Sequence, residues 1–234
     1  MSSENLTRDE ARRRASFLST DAYEIRLDLT TDERTFRTET TLRFDAAEAQ
    51  ETFLDLIAEE VHEIELNGEL LPDPASRFDG ARVRLPALAE GANTVRVLAT
   101  GRYMNTGEGL HRFVDPVDDE VYLYTQFEVS DARRMFACFE QPDLKATYQL
   151  TVTAPDHWRV ISNSPTPEPS VAGEGTATWT FSPTERMSTY LVALIAGNYQ
   201  GGTGEVTARD GRTILMGVFA RASLAEHLDA DYVF

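Results

Sequence analysis

Two side chains, Gln126 and Glu128, have the chemistry and the spacing to hold a primary ammonium group. They stand two positions apart, and on an extended backbone such side chains leave the same face. An amide oxygen beside a carboxylate is a good acceptor pair for a protonated amine, with Glu128 supplying the charge-assisted bond. The competing reading is a local ion pair between Glu128 and Arg133 or Arg134. All four lie in Thr125–Tyr148, the densest mixture of charge and aromatics in the chain. That stretch holds the only cysteine, Cys138, and the aromatics Phe127, Phe136 and Phe139. Among them stand Asp131, Glu140, Asp143 and Lys145. Charges set between rings too large to leave in water imply a paired network or a site.

Other chemistries lack their parts. His62, His111, His157 and His227 are too far apart for a local ligand pair. His62-Glu63 begins like an H-E-x-x-H zinc helix, but position 66 is Leu66 and the surroundings alternate as a strand. No metal site is expected in this chain. Cys138, between Ala137 and Phe139, reads as a buried and inert thiol. No nucleophile-elbow pattern supports serine catalysis. The glycines at 107, 109, 201, 202 and 204 lack the strand–loop–helix context of a phosphate loop and read as turns. No complete catalytic constellation is present.

A chain of 234 residues can bury a proper core, as one large all-β domain or two small ones. Its formal charge of −17 opposes phosphate backbones and anionic lipid, so no nucleic-acid partner and no membrane partner are expected. The same charge suits cationic ligands, protonated amines included. One cysteine cannot form an intrachain disulfide, and no basic segment followed by an apolar run opens the chain. A cytoplasmic location is therefore expected. The longest apolar run, Tyr190–Ala196, is too short to span a bilayer and reads as a strand buried on both faces.

The elements around the candidate pair are mostly strands. Thr7 and Glu10 have capping-box spacing, which predicts a short, mostly solvated helix over Arg8–Phe17, with a frayed tail as the alternative. Tyr23, Ile25, Leu27 and Leu29 alternate with polar residues, and Phe36, Leu42 and Phe44 share one parity. Thr52–Leu56 and Val61–Leu66 continue the series, and Asn67-Gly68 signals a hairpin. The pattern is an antiparallel meander or sandwich. Met104–Glu120 has no usable period and reads as a long surface loop before the strand Val121–Thr125. Further strands are expected over Ala146–Ala154, Trp158–Ser162 and Ala177–Phe181, with a last hairpin turning at Asp210-Gly211. Ser223 could cap a helix holding Leu224, Leu228 and Tyr232. The sequence stops inside that pattern, as expected of a cut chain.

Taken in order, several blocks resemble the N-terminal domain of the zinc aminopeptidases of the aminopeptidase N family. They are Gly109-Leu110-His111-Arg112-Phe113, Thr125-Gln126-Phe127-Glu128, Asp131-Ala132-Arg133-Arg134, Cys138-Phe139-Glu140-Gln141-Pro142 with Lys145-Ala146-Thr147, Ser162-Asn163-Ser164-Pro165, and Met187-Ser188-Thr189-Tyr190-Leu191. The likeness covers essentially the whole chain. It implies a saddle-like antiparallel β-sandwich with a short N-terminal helix and the start of a C-terminal helix. The expected organisation is a tail and helix over 1–20, the β domain over 21–221, and a truncated linker helix over 222–234. The resemblance also implies that Gln126 and Glu128 line a substrate pocket, that Glu128 holds the free α-amino group of a peptide, and that Arg133 and Arg134 support them. The implied partners are a thermolysin-like catalytic domain and a peptide with a free N-terminal amine.

Two departures stand out. The family often has Pro where Ala137 stands and Asp-Glu-Pro where this chain has Glu140-Gln141-Pro142. The family's G-A-M-E-N segment and H-E-x-x-H helix are not in this sequence. The resemblance therefore places zinc in a catalytic domain outside the chain, and the chain alone is expected not to hydrolyse peptides. A reading from another class is a free-standing β-sandwich binding or scaffold domain, and a third is a complete small hydrolase.

Overall fold

The computed structural model describes residues 5–234. The first four residues of the expected tail lie outside them. The chain is built almost wholly of strands, and alternation of buried and exposed side chains explains most of them. Helix α1 (Arg8–Phe17) opens the fold behind the expected capping box, in which Thr7 accepts from the Glu10 amide and Glu10 reaches back to the Thr7 amide. Strands β1 (Leu18–Asp28), β2 (Thr35–Ala46), β3 (Thr52–Asp55), β4 (Glu60–Leu66) and β5 (Glu69–Leu70) follow. The β4–β5 hairpin turns at Asn67-Gly68, both at positive φ as expected. A short helix, α2 (Pro74–Arg77), precedes β6 (Arg82–Leu85) and β7 (Gly91–Arg102). Then come β8 (Gly109–Val114), β9 (Val121–Gln126), β10 (Thr147–Pro155), β11 (Arg159–Ser162), β12 (Ser170–Gly173), β13 (Thr176–Thr180) and β14 (Leu194–Gly197). The ribbon β15 (Tyr199–Thr207) and β16 (Thr213–Arg221) turns at Asp210-Gly211 and leads to α3 (Ala230–Val233).

Eight strands form one sheet in the order β12-β13-β10-β1-β2-β7-β4-β5. Four form a second, β11-β14-β9-β8, while β3 pairs with β6 and β15 with β16. One apolar cluster joins the first three of these sheets. Tyr23, Ile25 and Leu27 from β1, Phe36, Leu42 and Phe44 from β2, Leu110 and Leu123 from β8 and β9, and Leu194 from β14 all belong to it. On the solvent face of the large sheet, Arg96 of β7 bridges Glu39, Glu63 and Glu65 across three strands.

Four expectations change. One pairing of the large sheet is parallel: β1 runs alongside β10, with Tyr23 opposite Tyr148 and Leu27 opposite Val152. Alternation on each strand reports which face is buried, not which neighbour it takes, so this pairing was invisible in sequence. The segment read as a loop over Met104–Glu120 contains β8, hidden because His111, Arg112 and Phe113 are all half-buried and give no period. The apolar run Tyr190–Ala196 is a 3-10 turn over Thr189–Leu191 followed by the short β14, and Leu191 is exposed. Ser223 caps no α-helix. Its hydroxyl donates to Asp115 at 2.6 Å, Ala222–His227 is 3-10, and Asp229 caps α3.

Helix α1 is less solvated than its sequence implied. Arg14 and Phe17 are buried, and Arg14 donates to Asp55 of β3 at 2.9 Å. Arg82 of β6 pairs with Glu10 at 2.6 Å and holds that carboxyl down at about 2. The helix is docked by two charge pairs, not frayed.

Candidate functional site

The second sheet delivers the chain to the candidate residues. In the β8–β9 hairpin, Gly109 pairs with Gln126 at the open end. Gly109 has φ +64°, and a Cβ there would lie 2.9 Å from Cβ of Arg134. Glycine at this point lets the Arg134 side chain cross the strand end. Past Gln126, Phe127 plunges into the core and meets Phe136 edge-on, with ring centroids 6.3 Å apart. The chain then turns through residues 128–131 into a 3-10 turn, Ala132–Arg134. The Glu128–Val129 peptide is cis.

Gln126 and Glu128 both face solvent at this corner, separated by the buried Phe127. The extended-strand geometry expected for them does not hold past Gln126, because β9 ends there and Glu128 belongs to the turn. The corner still presents both, but through a bend. Among the described residues, no hydrogen bond or ion pair joins Glu128 to Gln126, Arg133 or Arg134. Arg134 donates to Asp131 at 2.7 Å and lies 3.8 Å from Glu108. Arg133 is 4% exposed, and its guanidinium reaches Asn5 at 3.4 Å. The local ion pair read from the sequence as the competitor is thus not formed: both arginines brace the turn with other groups.

What holds the turn is a buried polar network. The Arg133 amide donates to Glu140 Oε2 at 2.8 Å, and its carbonyl accepts from the Ile57 amide at 2.8 Å. The other Glu140 oxygen accepts from the Thr189 hydroxyl at 2.5 Å. The Glu140 amide donates to Asp55, which also receives Arg14. Cys138 sits against Glu140 with Sγ 3.8 Å from Oε2, and its backbone bridges to Asp55. Burial raises the Glu140 carboxyl to about 7, against the opposing pull of Thr189 and of the Arg133 amide. Burial also pushes the Cys138 thiol well up, with the acids Glu140 and Asp55 adding to it, which fits an inert thiol.

Sequence reasoning missed this network because its members come from four separated segments: Arg14 from α1, Asp55 from β3, Glu140, and Thr189 from the 3-10 turn over Thr189–Leu191. The one available signal was the clustering of charges between Phe136, Phe139 and the strand that follows. His62 lies on β4, as read, with Nε2 2.7 Å from Thr100 Oγ1. Among the described residues, no group of three His, Cys, Asp or Glu side chains could hold a metal ion. Among the same residues, no helix is long and apolar enough to cross a membrane.

Comparison with known proteins locates this geometry in a family. The model of the peptidase M1 N-terminal domain matches residues 19–191, which contain the corner and its network apart from Arg14. The chain is 57% identical over 233 residues to an aminopeptidase N of Streptomyces lividans, covering 98% of this chain and 26% of that protein. It is 36% identical over 155 residues to an aminopeptidase N of Acetobacter pasteurianus, covering 62% of this chain and 41% of that protein. An aminopeptidase N of Bos taurus matches half of this chain at 33% identity and is spanned over 13% of its length. The chain thus corresponds to about a quarter of the Streptomyces relative.

Proposed function

The chain belongs to the peptidase M1 N-terminal domain family, and from that premise we propose that it recognises the substrate amine for a zinc aminopeptidase. Glu128 accepts the free α-ammonium of a peptide, and Gln126 adds a neutral acceptor beside it. Arg133 and Arg134 hold the corner and do not touch the ligand. The observation that carries this reading is a single one. Glu128 is exposed at a braced corner, and among the described residues its carboxylate has no ion-pair or hydrogen-bond partner while both neighbouring arginines do.

The chemistry follows from what an exopeptidase must recognise. A peptide's first residue differs from every other by its charged amine. A fixed carboxylate selects that charge and so sets how far the first peptide bond lies from the hydrolytic centre. Zinc, the activated water and the general base belong to a catalytic domain, which this chain meets as a partner. The ribbon β15–β16 supports such a partner. It lies outside the family-matched span, and Val206, Ile214 and Leu215 on it are exposed, Leu215 by 73%. Without that partner the chain binds but does not cleave.

The test is Glu128→Ala in a full-length family enzyme carrying this domain. Loss of one charge-assisted hydrogen bond should raise KM for peptides by about tenfold or more. Substrates lacking a free amine should be unaffected. Unchanged KM and turnover would remove Glu128 from amine recognition.

A further inference from the structure

We propose that Glu140 is the positioning residue of the recognition corner, fixing the turn that carries Glu128 through the backbone of Arg133. This rests on the reading of Glu128 as the amine acceptor. Glu140 touches no ligand itself: it is 6% exposed.

The turn has three internal ties, from the Asp131 amide to Phe127 O, the Arg134 amide to Asp131 O, and the Arg134 side chain to Asp131. None of these fastens it to the body of the fold. Alongside the side-chain contacts of the two arginines with Asn5 and Glu108, two backbone bonds on Arg133 do. Its carbonyl accepts from the Ile57 amide and its amide donates to Glu140. Glu140 is in turn anchored at its second oxygen by Thr189 and at its own amide by Asp55. A carboxylate with one oxygen on the turn and the other on a separate element acts as a strut. Removing it leaves the Arg133 amide buried without an acceptor, and the corner is then free to drift away from the position Glu128 needs.

The charged and titratable groups facing Glu140 come from every element packed on it. They are Arg133 of the turn itself, Asp55 of β3 with Arg14 of α1 behind it, Cys138 alongside, Tyr23 of β1 and Tyr148 of β10. With its proton, Glu140 still accepts from Arg133 through Oε2, but without the charge that strengthens the bond. The grip on the turn is therefore firmer above about pH 7 than below it.

Two measurements separate this strut from the amine-recognition reading on which it rests. The first uses the 234-residue chain alone and follows amide hydrogen exchange in Glu140→Ala and Glu140→Gln. In Glu140→Ala, protection at Asp131, Arg133 and Arg134 should fall by about tenfold or more, while protection along β10 stays the same. Glu140→Gln retains an acceptor and should keep protection within about threefold of wild type, without the change across neutral pH. Equal protection in Glu140→Ala and wild type, an equal loss along β10, or a Glu140→Gln that exchanges like Glu140→Ala would each overturn the proposal. The second measurement is a double-mutant cycle with Glu128→Ala in a full-length family enzyme. Glu140→Ala should raise KM and add nothing once Glu128 is gone. Additive effects would overturn a role exercised through Glu128. If Glu128→Ala alone leaves KM unchanged, the amine reading falls, and the exchange result still decides whether Glu140 fixes the turn.

Discussion

Glu140 occupies a place where a carboxylate is costly, between Thr189, Cys138 and the backbone of Arg133, with almost no access to water. Burial dominates its titration and raises the carboxyl from 4.5 to about 7. The folded protein therefore binds this proton more tightly than the unfolded chain does. The stabilisation is complete below about pH 4.5 and is lost as pH rises through about 7, on the order of 3 kcal/mol at most. Wild type should lose stability relative to Glu140→Gln between pH 5 and pH 8, read by urea denaturation of both proteins at several pH values (about pH 5, 6, 7 and 8). A difference between the two that does not vary with pH would show that burial does not set this titration. The same residue marks how far single positions can be read from sequence. Glu128 could be singled out because its neighbours along the chain define its chemistry. Glu140 stood in the same charged stretch, but its role comes from Thr189, 49 residues on, and Asp55, 85 residues back. Neither has any signature in its local pattern.

Among the elements, α1 shows how a helix that looks solvated can be held. Its sequence offers only Leu18 beyond the helix and Phe17 at its end as large apolar anchors, and the capping box was legible because it is local. Its docking was not, because it runs through arginine. The Arg14 side chain is 3% exposed, its partner Asp55 1%, and its guanidinium also lies 4.4 Å from the centre of the Phe53 ring. Removing one member of a buried pair strands the other charge. Arg14→Ala should therefore cost about 3–5 kcal/mol. Arg12, with its side chain 63% exposed beside Asp9, is the control: Arg12→Ala should change stability by about 0.5 kcal/mol or less. Chemical denaturation at neutral pH distinguishes the two, and equal costs would mean that the Arg14–Asp55 pair does not hold the helix. Strands followed the same rule. Alternation revealed β1, β2, β4 and β10, whose faces differ sharply in burial, and failed at β8 and β14, whose side chains do not alternate.

At the scale of the molecule, the ribbon β15–β16 departs from the fold that precedes it. Most of its side chains are exposed or half-buried, whereas β1, β2 and β10 bury every second residue. Its two faces are unlike. Phe234 packs where Gly204 leaves room, while Leu215 projects from the opposite face. The loop before β9 clamps the ribbon's exit: Asp115 takes Arg221 at 2.9 Å and Ser223 at 2.6 Å, and Asp118 accepts from the Ser223 amide. The ribbon is thus fixed where it leaves the sandwich, with Ile214 and Leu215 exposed beyond it. Exposed apolar strands pair with one another when nothing covers them. In solution the 234-residue chain should self-associate at concentrations on the order of tens of micromolar, and Ile214→Glu with Leu215→Glu should return it to a monomer. Because both side chains already face water, the melting temperature should move by no more than about 2 °C. Sedimentation velocity across a concentration series decides it. A wild-type chain that stays monomeric throughout would mean that the exposed strands alone do not drive pairing.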